Sequence, residues 1–409
     1  MSSRLPLPPL ALGVLLVALL LIGGFAVYRT AFAPREVKVA VLFDVGGRGD
    51  LSFNDMAALG ADRAAKELNV KVDYLTPKDL AHFVPLLEDL SKRGEYELLV
   101  LVGFLWIDAL DKVADKYPQQ KYALIDASTG KARANVLEVL FREQETGALV
   151  GVSAAGMARE LAREAGGPIK VGSVAGMSIP PLWRFHIGYL FGVKYFEAKT
   201  GTKVEFAWVY TGKFDDPAAG RRAAETMLAG GAKVLYGLAG LTHVGMFDAV
   251  IDWNAQGRGR ALALGQDASQ EWYNATYIPL SGSKRVDVAV YRAIEMVVKG
   301  EWKGGLSVLG LADGGVGIWD IEGVKYFAQI AYDTKKSKVT PERVAEIVSS
   351  QRARYIKEDV QRLMKELEDK IRRGEIVFKD PRDEKEYDAI IKELERGNLN
   401  AALAKGSVS

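Results

Sequence analysis

With 409 residues, 49% of them apolar and 26% charged, the chain is long enough for two lobes of ordinary domain size plus appended segments. Its 54 basic and 52 acidic side chains leave a formal charge of +2, too weak a field to attract nucleic acid or a strongly acidic partner. The absence of cysteine excludes disulfides, thiol catalysis and a thioether-linked lipid, and His82, His186 and His243 are too scattered to read as metal ligands, so no metal and no cofactor is expected.

Residues Ala11–Val27 form a nearly unbroken apolar run behind Arg4. At about 1.5 Å per helical residue it extends roughly 25 Å, near the lower limit for spanning a bilayer. A signal peptide cut after Ala31-Phe32-Ala33 is the competing reading, but Pro34 follows directly and hinders cleavage. An uncleaved anchor over 1–35 is therefore expected, with the globular part extracytoplasmic in accord with the positive-inside tendency.

From Glu36 onward, β-rich runs alternate with amphipathic stretches. Strands are expected at 37–43, 71–75, 98–102, 122–125 and 136–140, and again at 170–174, 203–209, 233–237 and 261–264, with helices between them. This order predicts an α/β fold of two doubly wound lobes with parallel sheets. A helix over 286–299, a glycine-rich strand region near 309–319 and a charged helical tail from Pro341 to about Arg396 follow, the tail expected as a solvated amphipathic appendage.

Ligands of open α/β sheets bind beyond the carboxyl ends of the strands. The first such end carries Asp44-Val45-Gly46-Gly47 and then Ser52-Phe53-Asn54, a carboxylate, an aromatic face and an amide suited to a flat polar heterocycle. Taken alone, a tight turn capped by Asp50 or Ser52 explains these residues as well. Asp126, Phe214, the Gly237–Gly240 loop and Asp267 follow other strand ends; each has a plain reading as a cap, a turn or a core aromatic, yet the repeat of aromatic and carboxylate on both series suits two lobes closing on a ring.

These blocks resemble the basic membrane protein family of substrate-binding proteins, whose purine-nucleoside receptors feed ABC importers. The resemblance runs from about Val37 to Ile318. It rests on the two motifs just quoted, on Val171–Met177 with Ile179-Pro180-Pro181 and Arg184-Phe185, on Gly212–Pro217, on Ser283–Asp287 and on Gly310–Gly317. It implies the type I periplasmic-binding-protein fold, with a first lobe of 36–145 plus 262–318, a second of 146–261 plus 319–335, a tail of 336–409 and crossings near 145, 262 and 318.

It also implies a base clamped between Phe53 and Phe214 and polar contacts from Asp44, Asn54, Asp126, Gly240, Asp267 and Lys284. Hinge closure without covalent chemistry, so no catalytic residue, is implied, together with a permease and an ATPase as separate chains. His243 and Arg48-Gly49 depart from the family pattern, and Arg184-Phe185 is expected to be structural. The rival readings are a tethered ligand sensor, a sugar-binding protein of the same fold, and a nucleoside hydrolase, for which the Asp44 to Asp50 spacing is a poor metal cluster.

Overall fold

The structure, a computed structural model, describes residues 37–407. The expected anchor at 1–35 lies outside the described residues; among those described, no helix is long and apolar enough to cross a membrane.

In chain order the first series is β1 (Lys38–Leu42), α1 (Phe53–Leu68), β2 (Lys71–Leu75), α2 (Phe83–Arg93), β3 (Leu98–Val102), α3 (Ile107–Val113), β4 (Lys121–Ile125) and β5 (Val136–Phe141). Next come α4 (Glu143–Ala165), β6 (Lys170–Ala175), α5 (Pro180–Thr200), β7 (Glu205–Tyr210), α6 (Pro217–Ala229), β8 (Val234–Leu238), α7 (Leu241–Ala255), β9 (Leu262–Gly265) and β10 (Leu280–Lys284). The chain ends with α8 (Val286–Val298), β11 (Gly305–Leu309), β12 (Val316–Ile318), α9 (Ile321–Asp333), α10 (Pro341–Tyr355), α11 (Glu358–Arg372), α12 (Glu384–Glu395) and α13 (Leu399–Ala404).

Two six-stranded sheets result, ordered β11-β5-β4-β3-β1-β2 and β12-β10-β9-β8-β6-β7. All neighbours run parallel except β10 and β12. Interior strands read as continuous apolar runs, because helices cover both faces of a parallel sheet: the Leu-Leu-Val-Leu-Val of β3 is buried throughout. Helix ends follow their local signals, as where the Asp216 carboxylate accepts from Ala219 N–H and Pro217 opens α6.

The lobe boundaries expected from sequence are corrected in one respect. The segment 262–284 belongs to the second sheet, where β9 pairs with β8 and β10 with β9; only α8 and β11 return to the first lobe. The polar, small-residue run Leu-Ser-Gly-Ser-Lys of β10 carries no strand signal of its own and is held there by its neighbours. The chain therefore crosses at Arg142, close to the expected 145, at Arg285 instead of near 262, and between Leu309 and Val316, just before the expected 318.

The charged tail is not a solvated appendage. Its helices α11 and α12 pack on α4 and α5, burying Val360, Leu367, Ile371, Tyr387, Ile390 and Leu394. Arg159 of α4 holds Asp359 with two hydrogen bonds of 2.7 and 3.0 Å. Charged residues dominate the sequence there, but the spaced apolar residues make a stripe that finds a partner surface.

Helices α4 and α5 approach through glycine. A Cβ built on Gly192 stands 2.0 Å from the carbonyl oxygen of Ala148, and one on Gly188 stands 2.2 Å from that of Gln144. Since α4 begins at Glu143 and Arg184 lies in α5, this close approach is what lets those two side chains meet. Gly192→Val is expected to lower unfolding stability by about 1–3 kcal/mol in guanidinium titrations of the full chain, whereas an unchanged midpoint would contradict the backbone contact.

Candidate functional site

One cavity, with about 680 Å³ of space free of protein atoms, lies between the two sheets' carboxyl ends. It is lined by all eight residues singled out in the sequence: Asp44, Phe53, Asn54, Asp126, Phe214, Gly240, Asp267 and Lys284.

The loop after β1 is built around Asp50. Its carboxylate accepts from the backbone N–H groups of Ser52, Asn54 and Asp55 at 3.0, 2.9 and 3.1 Å, so Asp50 caps α1. Ser52 is freed for another task. Its hydroxyl reaches the second lobe, donating to Asp267 Oδ2 at 2.7 Å and standing 3.0 Å from the carbonyl of Gln266. Asn54 Nδ2 donates to Asp44 Oδ1 at 2.7 Å and lies 3.2 Å from Asp50 Oδ2, which commits its donors within the loop and fixes the Asp44 carboxylate. Burial raises Asp44 above its ordinary range, against the hydrogen bonds from Asn54 and Gly46.

Asp126 and Asp267 occupy equivalent places, beyond the fourth strand counted from β2 in one sheet and from β7 in the other. Both have left-handed backbones, with φ of 69° and 72°. That conformation costs a non-glycine residue of order 1–3 kcal/mol and turns the side chain off the strand line toward the cleft. Neither residue is a helix cap. Asp126 Oδ1 is buried without a hydrogen-bond donor among the described residues.

Lys284 ends β10 at the cavity floor, fully buried, with Nζ 2.5 Å from Asp126 Oδ2 and 2.8 Å from Glu143 Oε1. Glu143 in turn accepts from Arg184 Nε at 2.6 Å. Two carboxylates thus share two cations. Burial alone would raise Glu143, but Arg184 and Lys284 outweigh it and hold that carboxyl at about 2. Burial pushes Asp126 well above the carboxylate range and raises Asp267, with Lys284 opposing both shifts. Burial also works against the Lys284 charge, yet Asp126 and Glu143 prevail and its pKa is raised. The ammonium lies 5.2, 5.2 and 5.5 Å from the ring centroids of Phe53, Phe141 and Phe185.

The cavity walls are apolar in ways the sequence did not announce. Ile179, Pro181, Leu182 and Phe185 face Phe104 and Leu105. Phe185 therefore corrects the reading of Arg184-Phe185 as purely structural: Arg184 is structural, Phe185 lines the cleft. Phe214 packs so closely on Gly176 that a Cβ there would stand 2.2 Å from its ring. Gly240 has a positive φ of 52° and leads into α7.

His243 lies behind that loop and outside the cavity, its Nδ1 accepting Ala239 N–H at 3.1 Å; burial lowers it to about 4, which keeps it neutral. Its other nitrogen meets Gln270, which donates from Nε2 to the carbonyl of Leu51 across the lobes at 3.0 Å. Arg48 is exposed, pairing with Asp62 at 2.6 Å.

The chain is similar to several known proteins. An uncharacterized lipoprotein of Pyrococcus horikoshii is 63% identical over 388 residues, covering 95% of both chains. The ABC transporter nucleoside-binding protein of Lactococcus lactis is 28% identical over 297 residues, 69% of this chain and 81% of that one. The crystal structure of an ABC transporter solute-binding protein from Aeropyrum pernix superposes with a TM-score of 0.89 at 57% identity, covering 90% of this chain and all of the other. The family profile described as ABC transporter substrate-binding protein, PnrA-like, matches residues 37–354. The two-lobed α/β fold and that match over most of its length make this chain a member of the Bmp family of ABC transporter substrate-binding proteins.

Proposed function

We propose that the cleft captures a nucleoside, with a purine base as the resemblance implies, and hands it to a membrane permease driven by a separate ATPase. The observation that carries this reading is the chemistry of the cavity between the lobes. It holds an aromatic side chain from each lobe, Phe53 and Phe214, two equivalently placed aspartates, Asp126 and Asp267, and the Lys284 ammonium against Asp126. Flat faces stack a base, adding about 0.5–1.5 kcal/mol per ring pair beyond area burial. Carboxylates accept the two ribose hydroxyl protons, and the orphaned Oδ1 of Asp126 has no other donor among the described residues. The printed name of the Lactococcus lactis relative supports the same ligand class.

Closure of the hinge brings Ser52 and the Leu51 carbonyl of one lobe onto Asp267 and Gln270 of the other. The chain has no cysteine to carry a lipid, although its relative in Pyrococcus horikoshii is called a lipoprotein. In this reading the apolar run Ala11–Val27 serves as the anchor and the lobes face outward.

Titration calorimetry of the detergent-solubilised full chain, unfolded and refolded to strip carried-over ligand, tests the ligand class. Adenosine, guanosine or inosine is expected to bind one to one, and ribose and arabinose not to bind measurably; binding of the sugars alone would transfer the protein to the sugar-binding reading. Phe53→Ala and Phe214→Ala should each weaken the best nucleoside by about 10–100-fold, since each removes a stacking face and its burial.

Recognition of the hydroxyls is tested separately. The wild type should prefer adenosine over 2′,3′-dideoxyadenosine by about 100-fold or more, because the deoxy ligand leaves buried acceptors unpaired. Asp126→Ala should shrink that preference to below about tenfold. An unchanged preference would remove Asp126 from the site.

A further inference from the structure

Most contacts of the C-terminal segment lie on the outer surface of the second lobe, but two reach the crossings. Asp380, between α11 and α12, accepts a hydrogen bond on Oδ1 from Gln144 Nε2 at 2.5 Å. Gln144 is buried and adjoins Glu143 at the start of α4. Burial works against the Arg184 charge, and Glu143, with Asp380 after it, favours that charge. Asp380 is itself held from behind, its backbone paired with Ser407 through bonds of 2.8 and 3.0 Å.

The second contact closes the arrangement. At the end of α11, Arg372 Nη1 donates to the carbonyl of Leu311 at 2.5 Å, and Leu311 N–H donates to Glu145 Oε2 at 2.6 Å. The first and third crossings are thereby tied to each other and to the tail.

We propose that Asp380 is a positioning residue of the ligand site: through Gln144 it fixes the start of α4, hence Glu143, and hence the Lys284 ammonium 2.8 Å from it. The proposal rests on the ligand-capture reading of the cleft. Glu143 and Lys284 flank two of the crossings, the places that take up hinge rotation, and Lys284 bridges to Asp126 of the other lobe. With Asp380 in place Glu143 is bound to the second lobe, so Lys284 keeps one orientation as the lobes open and the Asp126 contact is the one that breaks. Without it the first turn of α4 is free to drift, and the ammonium meets the ligand in several positions.

The test uses the full chain with two single substitutions that remove the same hydrogen bond from opposite sides, Asp380→Ala and Gln144→Met. Hydrogen exchange without ligand is expected to quicken by about tenfold in peptides covering 142–149 and 281–287, while 384–404 exchanges as in the wild type. Inosine affinity is expected to fall by about 5–20-fold in each variant, and by less than about twofold when either change is made in a Glu143→Gln background, as residues acting through one chain are not additive.

Wild-type exchange at both crossings, or an equal inosine penalty in both backgrounds, overturns the positioning role. If Asp380→Ala releases the segment, seen as fast exchange over 384–404, Gln144→Met decides the matter, because its change lies on α4. The exchange readout needs no ligand. Failure of the wild type to bind inosine would count against the nucleoside reading and leave the positioning test standing.

Discussion

A lysine ammonium buried between two lobes is the constraint around which the rest of this structure is arranged. Lys284 is almost wholly buried, and its charge is held by Asp126 and Glu143, which stand within 2.5 and 2.8 Å. Those partners come from different places: Asp126 from the end of a first-lobe strand, Glu143 from the first turn after a crossing. Removing one partner of such a buried pair costs about 3–5 kcal/mol, and the pair itself contributes little net stability, so its value is geometric. It defines one relation of the lobes in which every charge is matched.

The lobes that hold this cluster repeat one plan. Each sheet places the loop after its first strand and the left-handed aspartate after its fourth on the same edge, and the two edges face each other. The polar groups that join them are few and specific: the Ser52 hydroxyl on Asp267 and the Gln270 amide on the Leu51 carbonyl. Leu51 itself has a positive φ of 58°, so the bond it accepts helps hold a backbone conformation that a leucine rarely adopts. Contacts of this kind are cheap to break and directional when made, which suits a cleft that opens and closes.

The tail adds a second layer of support behind the hinge. Its stacking of Tyr387 on Trp183, with the Tyr387 hydroxyl 2.6 Å from His186 Nδ1, anchors α12 beside the first turns of α5, the same turns that present Ile179, Pro181 and Phe185 to the cavity. Burial lowers His186 to about 3, so this anchor is uncharged and carries no pH dependence in the physiological range.

Much of this was legible in the residues. Alternating apolar runs and amphipathic stretches determined the two doubly wound lobes, since both periods are local properties of the chain. Seven of the eight cleft residues were legible at predicted strand ends, which converge in a parallel sheet whatever the connecting helices do, whereas Lys284, on a strand without a signal of its own, came only with the family resemblance.

Three things were decided only in three dimensions. The strand β10 is polar and small, and pairing alone makes it a strand, which moved 262–284 to the other lobe. Glu143 and Arg184 stand 41 residues apart in sequence, and only the glycine contact of α4 with α5 brings them together. The tail's charges suggested a solvated surface, but its buried stripe needed a partner face that no window of sequence contains. Local periodicity is written in neighbouring residues; charge pairing and docking depend on residues far apart, and become visible only when the backbone has brought them within a few ångströms.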